Sequence, residues 1–82
     1  MGVTEDLADE LARDVIKLID ATGDDQIIAD ITQILGVSSQ TAEEAFLTAI
    51  RVRRANIKAR ALLLQRVKDF KNGKAPPDPH TD

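Results

Sequence analysis

The fold of this chain is decided by residues 37–72, which read VSSQTAEEAFLTAIRVRRANIKARALLLQRVKDFKN and contain neither glycine nor proline. Most of these residues are good helix formers, with only scattered β-branched side chains among them. Ser38 or Ser39 can cap the start of a helix, because a serine oxygen accepts from the free amides of the first turn. Asn72-Gly73 closes the segment, since glycine is typical of the position after a helix. The sequence therefore predicts one long helix over about 39–72.

Such a helix is unusually long for a small domain. At 1.5 Å per residue it would span roughly 48 Å, about three times the length of an average helix. It either projects from the domain or is broken, and residues 54–56 are its weakest point.

The apolar side chains of this helix would cover nearly half of its circumference. One set lies along a first face at 100° per residue (Phe46, Ile50, Ile57, Ala61 and Leu64), and a second set lies beside it (Ala45, Ala49, Val52, Ala59, Leu63 and Phe70). A helix that packs on one neighbour needs a stripe of only ~100°. We therefore expect contact with the rest of the domain and with a second subunit. The predicted interface comprises Phe46, Ile50, Arg53, Ile57, Arg60, Leu63, Leu64 and Phe70.

Two basic residues, Arg53 and Arg60, interrupt this apolar stripe. A buried charge is costly unless it is paired, so both should meet carboxylates. Asp14, Asp20 and Asp30 of the same or a second chain are the expected partners. The hypothesis that follows is a homodimer whose register is fixed by acidic residues against the basic long helix.

Composition indicates a small all-α domain with a thin core. Of 82 residues, 43% are hydrophobic, but only two are Phe and none is Trp or Tyr. Self-association is an effective way to enlarge such a core. There is no cysteine, no apolar run near the ~20 residues of a membrane span, and no signal-peptide pattern at the acidic N-terminus. The expected location is cytoplasmic, without membrane contact.

Charge divides sharply between the two parts of the chain. Residues 1–50 carry eleven acidic residues against two basic ones, whereas residues 51–74 carry nine basic residues against Asp69 alone. This division favours either a polyanionic partner or pairing of the two halves with each other.

Two shorter helices precede the long one. Paired apolar residues alternate with charged ones over 4–21, which predicts a first amphipathic helix capped by Thr4 and ended at Gly23. Asp24 or Asp25 should cap the second helix, and Gly36 should end it. Its buried side would be formed by Ile27, Ile28, Ile31, Ile34 and Leu35. Residues 1–73 form a single domain, and the proline-rich tail 74–82 should be disordered.

Catalysis is not expected, because the residues that usually perform it are missing. The chain has no cysteine and no Gly-rich phosphate loop, and its single histidine, His80, lies in the tail. The acids around Asp24 lack the ligand spacing of a calcium loop. We therefore assign no catalytic, cofactor-binding or metal-binding residues.

Residues 30–46, DITQILGVSSQTAEEAF, resemble the helix-turn-helix of bacterial DNA-binding proteins, and the likeness extends over about 27–47. It depends on the turn residue Gly36, a buried Val37, the cap Ser38 and small side chains in the second helix. The resemblance implies a nucleic-acid-binding transcriptional regulator. It departs from that family at Glu43 and Glu44, two carboxylates where phosphate would lie.

The sequence thus leaves two functions open. The first is a non-enzymatic interaction or regulatory protein that self-associates through its long helix, with itself or another protein as partner. The alternative is a DNA-binding regulator that uses the basic face of the same helix. Its expected nucleic-acid contacts are Gln40, Arg51, Arg54 and Lys58.

Overall fold

The computed structural model describes residues 2–73, which form three α-helices. They are α1 (Val3–Thr22), α2 (Gln26–Ser38) and α3 (Gln40–Lys71). The all-α prediction and the prediction of a long last helix are confirmed. The helix α3 is continuous, so the alternative of a break at 54–56 is wrong. The prediction of a disordered tail at 74–82 lies outside the described residues.

The three helices run up, down and up, with α3 as the element on which the other two pack. α1 and α3 point the same way, because Glu5 lies beside Thr41 while Lys17 lies beside Ile57. α2 runs in the opposite direction, with Asp25 at its start close to the middle of α3. α1 and α2 touch each other only slightly.

The buried core is small and nearly all of it lies between α1 and α3. Its members are Ala8, Ala12, Val15, Phe46 and Ile50. Phe46 is the one large side chain with no exposed surface among the described residues. Ile27, Ile28, Ile31 and Leu35 of α2 pack against this core but stay partly exposed. The expected burial of Ile34 is wrong, because this residue is 67% exposed. The domain therefore gains its stability from few large buried groups, as the composition predicted.

The start of α1 differs from the prediction at its cap. Gly2, not Thr4, is the N-cap, and its backbone N–H donates to the Glu5 carboxylate over 2.8 Å. Thr4 lies inside the first turn. The end of α1 is as predicted, because Gly23 adopts the left-handed conformation with φ of 76°.

The corner between α2 and α3 also differs from the prediction. Gly36 does not end α2, which continues to Ser38, and the backbone N–H of Ser39 closes the helix on the Leu35 carbonyl at 2.7 Å. The Ser39 hydroxyl then accepts from the Ala42 N–H at 3.1 Å and caps α3. Of the two expected cap residues of α2, Asp25 is the N-cap, but it is the Asp24 carboxylate that accepts from the backbone of α2, over 3.1 Å.

This continuation overturns the expected burial of Val37, which is 84% exposed. Two residues correspond to about 200° of helix rotation, so Val37 points away from the side on which Leu35 packs. The helix-turn-helix resemblance implied that Val37 is a buried residue of the turn. In the structure, Val37 is instead an exposed residue inside α2.

The described part of the chain is elongated, with extents of 53 × 29 × 23 Å. The length comes from α3, which continues about 14 residues, or roughly 21 Å, past Ile57. None of the helices in residues 2–73 has the length and apolar character needed to cross a membrane.

Candidate interaction surface

The C-terminal part of α3, residues 57–71, projects from the domain and is here called the distal half. It carries six large apolar side chains that are 40–75% exposed: Ile57, Leu62, Leu63, Leu64, Val67 and Phe70. A monomeric protein seldom leaves so many large apolar side chains exposed on one segment unless they bind something. The distal half is therefore the strongest candidate for an interaction surface among the described residues.

The residues predicted as an interface fall into three environments. Phe46 and Ile50 are buried in the core of the single chain, so they are not available to a partner in this conformation. Arg53 is about one-third exposed and is engaged by α1. The remaining predicted residues are exposed in the distal half: Ile57, Arg60, Leu63, Leu64 and Phe70. Of the predicted interface residues, only those in the distal half therefore remain free to contact a partner.

A line of mainly apolar residues runs along one side of α3, and we call it the lateral strip. Its members are Ala45, Ala49, Val52, Ala59, Leu63 and Phe70, which share one face at 100° per residue. Val52, Leu63 and Phe70 are 61%, 56% and 75% exposed. Leu62 is equally exposed at 57%, but it points about 100° away from the strip.

The arginine in the core-facing stripe, Arg53, is held by a carboxylate of α1. Its Nε and Nη2 donate to the two oxygens of Asp9 at 2.7 and 2.6 Å, a paired geometry that suits a guanidinium and a carboxylate. The sequence predicted such a partner but named Asp14, Asp20 and Asp30, and those choices were wrong. In the parallel packing of α1 and α3, Asp9 lies about one turn before the level of Arg53, within reach of its long side chain. Because this contact lies within one chain, Arg53 does not need a carboxylate from a second subunit as its partner.

This contact shifts the titration of both groups. The hydrogen bond from Arg53, with the attraction of its charge, holds the pKa of Asp9 below its ordinary value of 3.8 despite some desolvation. The same hydrogen bond raises the pKa of Arg53. The side chains are 52% and 32% exposed, so solvent screens much of the attraction.

Arg60 lies two turns further along the same face of α3 as Arg53. Within residues 2–73 it forms no ion pair. Its expected carboxylate partner is therefore not supplied by the described part of the same chain.

A cleft of about 580 Å³ opens between α1 and the first half of α3. Its floor is formed by members of the lateral strip, Ala45, Ala49 and Val52. Its rim carries four carboxylates: Glu5, Asp6, Asp9 and Glu44. Sequence reasoning missed this cleft, since the parallel packing that brings Glu5 beside Glu44 is visible only in the fold.

The expected nucleic-acid contacts are on one exposed face of α3, but two of them are engaged. Arg54 Nη2 lies 3.5 Å from Asp25, and Gln40 donates to Glu44 at 3.4 Å. Arg51 and Lys58 are exposed and make no ion pair within the described range.

The described residues contain no group of three His, Cys, Asp or Glu side chains placed to hold a metal ion. Comparison with known proteins gives no further guide to this surface: no family model, curated protein or solved structure matches the chain.

Proposed function

We propose that this chain is a non-enzymatic helical interaction protein with a regulatory role, which self-associates through the distal half of α3. The observation that carries the proposal is the exposure of Ile57, Leu63, Leu64, Val67 and Phe70 on one projecting helix segment. Burying a leucine side chain contributes about 1.5–3 kcal/mol, so several such residues supply enough free energy for association.

A projecting helix also needs a partner to remain helical. An isolated helix of about 14 residues is marginal in water, because its nucleation cost is repaid by few hydrogen bonds. Every residue of the distal half except Asp69 is exposed, so little of this segment is covered by the rest of the described chain. Packing against a partner would supply the missing stabilisation.

A second copy of the same chain is the partner that charge favours. The distal half holds five basic residues (Lys58, Arg60, Arg66, Lys68 and Lys71) against the single acid Asp69. The α1 surface is acidic, with six carboxylates against Arg13 and Lys17. Opposite charges on two regions of one chain suit a symmetric dimer in which each subunit offers both regions.

The adjacent leucines of the distal half provide the test. We expect Leu63→Lys to weaken the dimer strongly, because it places a charge on the lateral strip, and Leu62→Lys to leave the dissociation constant unchanged. The two residues are equally exposed, at 56% and 57%, so neither change should disturb the fold of the monomer. Loss of two buried leucines per dimer corresponds to about 3–6 kcal/mol, or roughly a 10²- to 10⁴-fold rise in the dissociation constant.

Sedimentation equilibrium at several protein concentrations measures this constant, and circular dichroism checks that both variants keep their helical content. Equal dissociation constants for the wild-type protein and the Leu63→Lys variant would rule out the strip as the dimer contact.

Nucleic-acid binding is the alternative function, and the free basic pair Arg51 and Lys58 is the observation in its favour. Two features oppose it: Arg54 is occupied by Asp25, and Glu44 lies on the same face of α3. Phosphate contacts supply most non-specific affinity and weaken steeply with salt. A fluorescence anisotropy titration of mixed-sequence duplex near ~50 mM salt tests this alternative, and absence of binding there excludes it.

A further inference from the structure

The cleft between α1 and α3 has an apolar floor that is open to solvent and an acidic rim. Asp9 is already paired with Arg53. The other three rim carboxylates, Glu5, Asp6 and Glu44, form no ion pair within residues 2–73. The floor is made of small side chains, two of them alanines, so a helix could approach it closely. An apolar groove between two helices is a typical receptor for an amphipathic helix.

The distal half of α3 has the complementary features. Leu63 and Phe70 are exposed on the lateral strip, and basic residues lie on both sides of them. Arg66 lies about 60° to one side of Leu63, and Lys71 lies about 100° to one side of Phe70, on the opposite flank. The large apolar side chains of the distal half are thus complementary in size to the small side chains of the cleft floor. The basic residues of the distal half are complementary in charge to the carboxylates of the cleft rim.

The spacing of these residues also agrees. Ala45 and Val52 in the cleft are seven residues apart, and so are Leu63 and Phe70. Both intervals equal about 10.5 Å along a helix. If two α3 helices pack antiparallel, Phe70 lies over Ala45 of the partner subunit while Leu63 lies over Val52 of the partner subunit. Lys71 then comes level with the start of α1, where Glu5 and Asp6 are, and Arg66 lies on the same flank of the strip as Glu44.

We infer that the α1–α3 cleft of one subunit receives the distal half of α3 from a second copy, in an antiparallel and twofold-symmetric dimer. This rests on the proposed self-association and adds the receiving surface and the direction of packing. Because both α3 helices carry a cleft and a distal half, the two contacts are identical and the assembly closes at two subunits.

Single cysteines test this arrangement directly, since the natural chain has none. In the register above, Thr48 of one subunit lies beside Arg66 of its partner, and both residues are exposed. We expect an equimolar mixture of the Thr48→Cys and Arg66→Cys variants to form a disulfide-linked dimer under mild oxidation. Neither variant alone should link efficiently, because its two cysteines are far apart in an antiparallel pair. Cysteines held together react at an effective concentration near millimolar, so at ~10 μM protein linkage should be about 100-fold faster than in random encounters.

The control experiment uses a Gln65→Cys variant in place of the Arg66→Cys variant. Gln65 is exposed and points to the opposite side of the helix from the strip. Its mixture with Thr48→Cys should link at the slow random rate. Rapid linkage of Arg66→Cys with itself would instead show a parallel pair. Rapid linkage to Leu7→Cys or Ile34→Cys would show docking on the exposed apolar residues of α1 and α2, which are 60% and 67% exposed. Either result overturns the cleft assignment.

The wild-type mass separates this inference from the proposed function. A dimer that gives no rapid linkage between positions 48 and 66 overturns the cleft and leaves self-association standing. A wild-type protein that stays at 9.0 kDa at all concentrations overturns both.

Discussion

At the scale of single residues, the ion pair between Asp9 and Arg53 links α1 to α3 outside the buried core. The need for a carboxylate beside Arg53 was predictable, because an arginine recurs within an apolar helical stripe. The identity of that carboxylate was not predictable, since it depends on whether α1 lies parallel or antiparallel to α3. In the parallel packing it is Asp9, rather than Asp14 or Asp20, that contacts the guanidinium of Arg53.

This pair makes stability depend on pH in a defined direction. The pKa of Asp9 is depressed in the folded protein relative to its ordinary value of 3.8. The contribution of the ion pair to the free energy of unfolding is therefore fully present above about pH 4. It is lost as the pH falls from 3.8 through the lower pKa of the folded protein, because the unfolded chain binds the proton more readily in that range.

We expect Asp9→Asn to lower the free energy of unfolding at pH 7 and to have a diminishing effect toward pH 2. Urea unfolding at several pH values measures this difference. In the Arg53→Gln background the same substitution should have little effect, because the partner is gone. A loss of stability for Asp9→Asn that is equal at pH 7 and pH 2 would show that the pair does not act through charge.

At the scale of secondary structure, the sequence predicted the existence of all three helices and the length of α3. The 3.6-residue spacing of apolar residues and the lack of Gly or Pro over residues 37–72 sufficed for this. The boundary at Gly36 could not be predicted. A glycine followed by Val-Ser-Ser is typical of a turn, yet Ser39 provides both the end of α2 and the cap of α3. The carboxylate of Glu43 lies directly against Gly36, a contact that exists only once the corner has formed.

Two glycine substitutions test this boundary. Gly36 is inside a helix and has no positive φ, so Gly36→Ala should stabilise the protein by about 0.5–1 kcal/mol through helix propensity. The Glu43 carboxylate that meets the new methyl group is the end of a flexible side chain and can move aside. Gly23 has φ of 76°, so Gly23→Ala should instead destabilise by about 1 kcal/mol. Thermal unfolding of both variants measures the difference, and a loss of stability in both would mean that Gly36 acts as a terminator after all.

At the scale of the whole molecule, the described chain is much longer than a compact domain of its size. Its radius of gyration is 17.4 Å, whereas a compact chain of this length has about 12 Å. The excess arises from a helix whose second half leaves its own domain with apolar residues in water. The sequence predicted more apolar surface on α3 than one subunit can cover. It did not predict which apolar residues of α3 are buried and which are exposed. That division, with Phe46 and Ile50 inside and Leu63 and Phe70 outside, depends on where α1 packs along α3.

The mass of the wild-type chain in solution, measured by light scattering across a range of concentrations, tests this account most directly. Self-association through the distal half of α3 predicts a mass rising to about 18 kDa, twice the 9.0 kDa of one chain. A mass that remains at 9.0 kDa up to millimolar concentration would contradict it.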